Sequence, residues 1–125
     1  MSKERTAEEW GRLAVSLPGW RWMPGMRDVH PQGGRYSCRS MLSDDWWTTH
    51  VQPDPDDPAT AGCLLALLGT GVVTASGPDG SRVGVEGESF GAGVSGRVFG
   101  SLEDTIGRAC IAAAAAIGRW PGGEG

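Results

Sequence analysis

The side chains best suited to acid–base chemistry in this chain are its two histidines, His30 and His50, because imidazole titrates near neutral pH. His30 lies between a valine and a proline in a turn-rich segment, which favours a surface position over a catalytic one. None of the G-x-S-x-G, H-E-x-x-H, P-loop or H-R-D motifs occurs, so no recognisable nucleophile or metal motif accompanies either ring. The sequence therefore predicts a protein that is not an enzyme.

Two groups of side chains resemble metal ligands. His30, Cys38 and His50 offer imidazole and thiolate, which suit zinc, but their spacing matches no compact ligand motif. The aspartates between residues 54 and 57 lack the glycine and the distal glutamate of an EF-hand loop. Their expected role is to cap a helix and to place negative charge at its positive N-terminus. We therefore expect no metal and no cofactor.

The glycine-rich stretch from Gly84 to Gly100 is a weaker candidate, for a phosphate site, because backbone amides before a helix attract anions. Ser101 lies where the following helix is expected to begin. Glu103 and Asp104 fall in its expected first turn and would repel an anion there. A phosphate site is therefore disfavoured.

Tryptophan is unusually abundant, with six residues in a chain of 125. Aromatic rings and arginines together are the usual anchors of protein interfaces, and they also stack on the bases of single-stranded nucleic acid. If the segment around Trp46 and Trp47 is extended, one of these two rings must point away from the core. The alternative is that the tryptophans simply fill a small core. The predicted binding residues are Trp20, Arg21, Trp22, Arg27, Arg35, Arg39, Trp46 and Trp47.

Charge is unevenly distributed along the chain, whose formal net charge is −4. Residues 12–39 are rich in arginine, whereas the stretch that follows is acidic. General binding to nucleic acid requires clustered cations and is not expected. An acidic surface could instead occupy a basic nucleic-acid channel on a partner protein. The predicted acidic patch consists of Asp44, Asp45, Asp54 and Asp56.

The first half of the chain contains one clearly marked helix. A capping box at Thr6-Ala7-Glu8-Glu9 starts this helix, and Pro18-Gly19 ends it. The alternation from Trp20 to Met23 predicts a short strand, and residues 24–45 are interpreted as a loop or insertion. Met41 to Thr49, which overlaps the end of this loop, could form a short strand or hairpin arm that returns to the sheet.

The second half predicts two helices and a hairpin. Asp57-Pro58 is a strong helix start, with an N-cap carboxylate and a proline at the first helical position. Val72 to Glu86 predicts two strands around a Gly-Pro-Asp-Gly turn, and Phe90 to Phe99 predicts an irregular third strand. Ser101-Leu102-Glu103-Asp104 then indicates the cap of a final helix.

These elements predict an α+β fold, a small antiparallel sheet of three to four strands packed with three helices in a layered sandwich. Residues 1–125 are expected to form a single domain. The longest uncharged apolar run, Ile111 to Ile117, is shorter than the roughly 20 residues that cross a bilayer, and the N-terminus shows no signal region. Three cysteines without a C-x-x-C pair fit a reducing cytoplasm. No membrane association is expected.

Three segments carry a resemblance to a known family. They are Gly19-Trp20-Arg21-Trp22 after the first helix, Asp57-Pro58-Ala59-Thr60 followed by Gly62-Cys63-Leu64-Leu65-Ala66-Leu67, and Leu102-Glu103-Asp104-Thr105 before an alanine-rich helix. In these segments the chain resembles small phage and prophage proteins of the α-β-α sandwich type. The similarity spans most of the chain, and its motifs are caps and core positions. It therefore implies a fold but assigns no catalytic residue.

The phage resemblance, the small size, the acidity and the aromatic anchors together suggest a function. The leading hypothesis is a non-enzymatic phage or prophage accessory protein in the cytoplasm of a bacterial host. It would bind and inhibit a host protein or ribonucleoprotein effector, such as a CRISPR effector. The alternative is a small-ligand binder that sequesters a nucleotide signal between Arg21, Arg35, Arg39 and stacked tryptophans. Either function is compatible with a homodimer.

Overall fold

The computed structural model describes residues 5–30, 34–36, 44–69, 71–89 and 95–123. Helices combine with an antiparallel sheet in this part of the chain, so the α+β class is confirmed. Residues 90–94 of the predicted third strand lie outside the described residues. In chain order the elements are α1 (Ala7–Ser16), α2 (Asp44–His50), α3 (Pro58–Leu68), β1 (Val72–Gly77), β2 (Gly80–Ser89), β3 (Ser95–Phe99), α4 (Ile106–Ile117) and a 3₁₀ turn (Pro121–Gly123).

The first and third helices begin where the sequence predicts. At α1 the Thr6 hydroxyl accepts a hydrogen bond from the Glu9 amide at 3.2 Å, and the Glu9 carboxylate accepts one from the Thr6 amide at 3.3 Å. At α3 the Asp57 carboxylate accepts from the Thr60 amide at 3.1 Å. Each cap satisfies amides that have no partner inside the helix, so both predicted starts are confirmed.

The sheet has β2 at its centre, and β1 and β3 both pair with β2 in antiparallel orientation. The predicted hairpin is confirmed, because Pro78-Asp79 connects β1 to β2 at the pair Gly77 and Gly80. Val83 and Val85 of β2 are buried, and α4 packs against β2. One face of the sheet therefore lies against α4.

Helix α4 is the central element of the molecule. It packs against β2 and β3 and also against α1 and α3, whereas α1 and α3 have no extensive contact with the sheet in the described residues. Cys110, Ala113 and Ala114 of α4 are fully buried. Gly100, directly after β3, lies against the backbone of α4, since a Cβ there would lie 2.5 Å from the Ala113 nitrogen. The layer order is therefore the sheet, α4, and then α1 with α3.

Trp120 ties the end of α4 to α1. Its ring is fully buried, and its Nε1 donates a hydrogen bond to the Ala14 carbonyl at 2.9 Å. Its backbone amide donates to the Pro18 carbonyl at 2.8 Å. Because both indole and backbone donors are satisfied, this large side chain is buried without leaving an unpaired polar group.

The connection between α2 and α3 is irregular and partly buried, and it contacts both α1 and α4. Pro53 and Pro55 are fully buried, and Pro53 pairs with Asp28 in an isolated antiparallel bridge. On one side a Cβ at Gly11 of α1 would lie 2.6 Å from the Pro53 carbonyl oxygen. On the other side a Cβ at Gly107 of α4 would overlap the Pro55 carbonyl. Two glycines thus allow both helices to pack directly on this connection.

The predicted strands before α3 are wrong. Trp20 to Met23 is irregular, and residues 44–50 form helix α2; residues 41–43 lie outside the described residues. Two aspartates begin α2, where negative charge is stabilised by the helix dipole. Trp46 and His50 then stack on one face at a spacing of four, which extended chain would not bring together. The described residues therefore contain four α-helices where three were expected.

The predicted cap of the last helix is also wrong, because Thr105 rather than Ser101 caps α4. The Thr105 hydroxyl accepts from the Arg108 amide at 3.2 Å. Before it the chain stays extended, since the Ser81 amide donates to the Glu103 carbonyl at 2.7 Å and the Glu103 amide donates to the Ser81 carbonyl at 2.8 Å. Because Glu103 pairs with Ser81 of β2, the chain stays extended there and α4 begins only at Ile106.

Candidate binding surface

Most of the tryptophans belong to one buried aromatic cluster. The Trp22 ring centroid lies 5.5 Å from that of Trp20 and 5.2 Å from that of Trp47. Tyr36 adds a third contact to Trp22 at 5.9 Å, and Trp120 lies 5.9 Å from Trp20. Trp22 and Trp47 are buried, at 5% and 9% exposure. Trp22, Trp47 and Trp120 therefore fill the core and present no aromatic face to a partner, whereas Trp20 and Tyr36 are half-buried against them.

All six tryptophans lie within the described residues, and Trp46 is the exposed one, with 39% of its surface accessible. Its ring stacks on His50 with centroids 4.7 Å apart and planes at 19°, and it meets the buried Trp47 ring edge-on at 6.3 Å. The His50 Nδ1–H donates to the Trp46 carbonyl at 3.0 Å. The prediction that one of the two adjacent rings points away from the core assumed an extended segment. The segment is helical instead, and on this helix Trp46 is exposed while Trp47 is buried.

Arg35 is committed to an internal network. Its two Nη atoms donate to the Asp57 carboxylate at 2.7 and 2.9 Å, and Nη1 also donates to the Gly25 carbonyl at 2.9 Å. The Thr60 hydroxyl donates to Asp57 at 3.1 Å and accepts from the Arg27 amide at 2.8 Å. The hydrogen bond from Arg35 holds the pKa of Asp57 at about 2. The Arg35 guanidinium therefore links Gly25 to Asp57 at the start of α3.

The other predicted arginines differ in position. Arg21 is exposed and Arg27 is half-buried, and neither side chain makes a hydrogen bond or ion pair within the described residues. Arg39 lies outside the described residues. The structure therefore does not bring Arg21 and Arg35 together with open indole faces into one pocket.

The predicted acidic patch is partly neutralised. Asp56 accepts from Arg108 Nε at 3.0 Å and Nη2 at 2.9 Å, and it also accepts from the Thr105 hydroxyl at 2.9 Å. Asp54 accepts from the Asp56 amide at 3.0 Å, and partial burial raises the pKa of Asp54. The aspartates at positions 44 and 45 lie in the first turn of α2. Asp56 is therefore neutralised by Arg108, whereas Asp44 and Asp45 are the two residues that precede Trp46 in α2.

Metal and thiol chemistry have no support in the described residues. Cys38, from the zinc set, lies outside them, and no group of three metal-binding side chains occurs within them. Burial raises the pKa of Cys110 to about 12 and also raises the pKa of Cys63. Both thiols therefore remain protonated at neutral pH, which makes them poor nucleophiles.

One exposed apolar surface was not predicted from the sequence. Val73 of β1, Gly84 of β2 and Phe99 of β3 are direct neighbours across the three strands and share one face. Val73 is 38% exposed, Phe99 is 49% exposed and nearby Leu102 is 47% exposed. We call the face that carries Val73, Ala75, Arg82 and Phe99 the outer face, because it points away from α4. The alternation of side-chain direction within β1 and β2 indicates in the sequence which residues share this face. Only the register with β3 brings Phe99 opposite Gly84.

No described helix is both long enough and apolar enough to cross a membrane. Comparison with protein-family models, with curated protein sequences and with solved structures gives no match to this chain. Function is therefore inferred from the surfaces of the molecule itself.

Proposed function

We propose that this chain is a non-enzymatic accessory protein of phage or prophage origin, which binds and inhibits a host protein or ribonucleoprotein effector in the bacterial cytoplasm, as an anti-CRISPR protein does. The observation that supports the proposal is the exposed Trp46 ring, stacked on His50 and supported from beneath by buried Trp47. Exposed tryptophan is the side chain most often found at the energetic centre of a protein interface.

Trp46 is suited to this role because it is already ordered. A side chain that is immobilised on binding costs about 0.5–1.5 kcal/mol in conformational entropy. The hydrogen bond to the Trp46 backbone carbonyl orients the His50 ring, and the stack on His50 then restricts the indole before any partner arrives. Much of that entropic cost is therefore met during folding, which leaves more of the contact energy for association.

The charge around Trp46 suggests the kind of partner. Asp44 and Asp45 precede it in the same helix, and the whole chain carries a net charge of −4. An acidic helix with an aromatic anchor complements a basic surface, and nucleic-acid channels of effector complexes are basic. This complementarity favours a nucleic-acid-binding effector as the target over nucleic acid itself.

The nucleotide-binding alternative has less support. Arg35 is held by Asp57 through two hydrogen bonds, and Trp22 is buried. Of the described residues proposed for nucleotide binding, a nucleotide would have to break this ion pair or use Arg21 with Trp46. A thermal-shift panel of nucleotides tests it, because a ligand that binds the folded state raises the melting temperature with concentration.

Affinity capture followed by reconstitution tests the main proposal. Immobilised protein is exposed to host lysate, a stoichiometric binder is identified and purified, and its Kd and its activity are measured with each variant. Trp46→Ala should weaken binding about 30-fold, equivalent to about 2 kcal/mol, and should release the partner from inhibition. Arg12→Ala, an exposed change on α1, is the control and should bind normally.

Two results would contradict the proposal. One is the absence of any stoichiometric partner across several host lysates. The other is a partner whose Kd and inhibition are unchanged by Trp46→Ala while the variant remains folded, because the exposed ring would then lie outside the interface.

A further inference from the structure

Strand β1 lies at the edge of the sheet, and part of its backbone points away from β2. Ser81 of β2 exchanges both of its backbone hydrogen bonds with Glu103, on the side away from β1. Ser76 lies directly opposite Ser81, so its own amide and carbonyl must point away from β2. The antiparallel alternation repeats this direction at Thr74 and Val72. Within the described residues no backbone group pairs with this edge.

The β1 edge also lacks the usual protection against strand addition. Natural edge strands are guarded by lysine, proline, inward-pointing charge or a bulge. Val72–Gly77 contains no charged residue and no proline, and its register with β2 is continuous over six pairs. Residues 73–77 are exposed. Among the described residues nothing therefore covers this edge, and the strand itself carries no charge.

The outer face beside this edge carries the cationic side chain of Arg82. Arg82 is exposed and makes no hydrogen bond or ion pair with any described residue. Its direct neighbour on β1 is Ala75, whose small side chain leaves the space between Arg82 and the open edge unobstructed. A strand added to β1 would lie two strand spacings, roughly 10 Å, from β2. An extended arginine and a glutamate side chain together span that distance.

We propose that β1 accepts an extended segment of a partner protein as a fourth strand, with an acidic residue opposite Ala75 that pairs with Arg82 and an apolar residue two positions away that packs on Val73. Backbone hydrogen bonds to Thr74 and its alternate neighbours supply affinity, and side chains on the outer face supply selectivity. This inference uses a surface separate from Trp46 and does not depend on the proposed function.

A second copy of the chain fits this edge less well. Its own β1 would satisfy the open amides and carbonyls, but β1 contains no acidic residue for Arg82. Charge complementarity therefore favours a different partner, with an acidic and apolar alternation.

Labelled seven-residue peptides test the proposal by fluorescence anisotropy. The probe alternates threonine with valine and carries glutamate at its centre (Thr-Val-Thr-Glu-Thr-Val-Thr), and matched peptides carry glutamine or lysine there. We expect the glutamate peptide to bind about five-fold more tightly than the lysine peptide, the range expected for an exposed charge pair. Arg82→Glu should reverse this preference.

A proline substitution separates edge pairing from simple charge attraction. Thr74→Pro removes an amide that points to the open edge and not to β2, so the variant should stay folded but lose all peptide binding. Thr74→Val keeps the amide and should bind normally. Trp46→Ala should also bind the peptides normally, so failure of the β1 proposal can be distinguished from failure of the proposed interface on α2.

The proposal is overturned if none of the peptides binds, if glutamate and lysine peptides bind equally, or if folded Thr74→Pro binds as well as the parent. A dimer in analytical ultracentrifugation that Thr74→Pro dissociates would also overturn it, because a second copy would then occupy the edge.

Discussion

The packing of α4 on the connection before α3 gives the sharpest stability prediction. An alanine Cβ at Gly107 would overlap the Pro55 carbonyl oxygen and would lie 2.6 Å from its carbonyl carbon. Both are backbone atoms, so no side chain can rotate to make room. Gly107→Ala must therefore displace either the first turn of α4 or the buried connection.

The net effect can be estimated from two opposing contributions. Overpacking a well-packed site costs about 1–3 kcal/mol, and a backbone overlap belongs at the upper end. Replacing glycine by alanine in a helix returns at most about 1 kcal/mol. We expect Gly107→Ala to lower the free energy of unfolding by about 2 kcal/mol, and to lower Tm by roughly 6–10 °C.

Gly62→Ala is the matched control. Gly62 lies inside α3, where an added Cβ meets nothing within 4 Å. The same substitution should therefore raise the free energy of unfolding by up to about 1 kcal/mol. Urea unfolding followed by tryptophan fluorescence measures both variants, with an unchanged m-value showing that the midpoint shift reports stability. If Gly107→Ala is as stable as Gly62→Ala, the inferred packing of α4 on Pro55 is refuted.

Three further predictions concern titration, thiol reactivity and fluorescence. The folded pKa of Asp57 is about 2, below its ordinary 3.8, so its pair with Arg35 stabilises the protein above about pH 4, and this stability is lost between pH 4 and pH 2. The free energy of unfolding, measured across that range, should fall less with decreasing pH in Asp57→Asn than in the parent protein. An identical fall would contradict the pairing. Iodoacetamide at alkaline pH, followed by peptide mapping, should label half-buried Cys63 slowly and Cys110 more slowly still in the folded protein, and equal labelling rates would contradict the burial of Cys110. Trp46→Phe should remove most of the acrylamide-quenchable emission, whereas unchanged quenching would mean that another indole is the exposed one.

Local signals in the sequence predicted several elements correctly. The caps at Thr6 and Asp57 and the Pro78-Asp79 turn depend on contacts between residues three or four positions apart. Such contacts form almost regardless of what the rest of the chain does, because little chain entropy is lost in closing so short a loop. Their residue types are therefore readable without a structure.

The predicted binding segment shows where sequence reasoning ends. A count of six tryptophans and several arginines indicates an aromatic and basic surface, yet Trp22 and Trp47 fill the core and Arg35 holds Asp57, 22 residues away. Among the predicted binding residues that the structure describes, Trp46 and Arg21 are exposed, and Arg35 is exposed but binds Asp57. Residue type alone does not distinguish an anchor from a core residue.

By itself, the sequence determined the α+β class, two helix starts, the hairpin and the absence of recognisable catalytic motifs. Only the tertiary structure decided which indole faces solvent, that residues 44–50 form a helix, and that Val73 and Phe99 share an outer face across Gly84. The physical reason is the separation along the sequence of the residues that make each contact. Capping and turn formation are settled within a few residues, whereas exposure, ion pairing and sheet register depend on distant segments that meet only when the whole chain has folded.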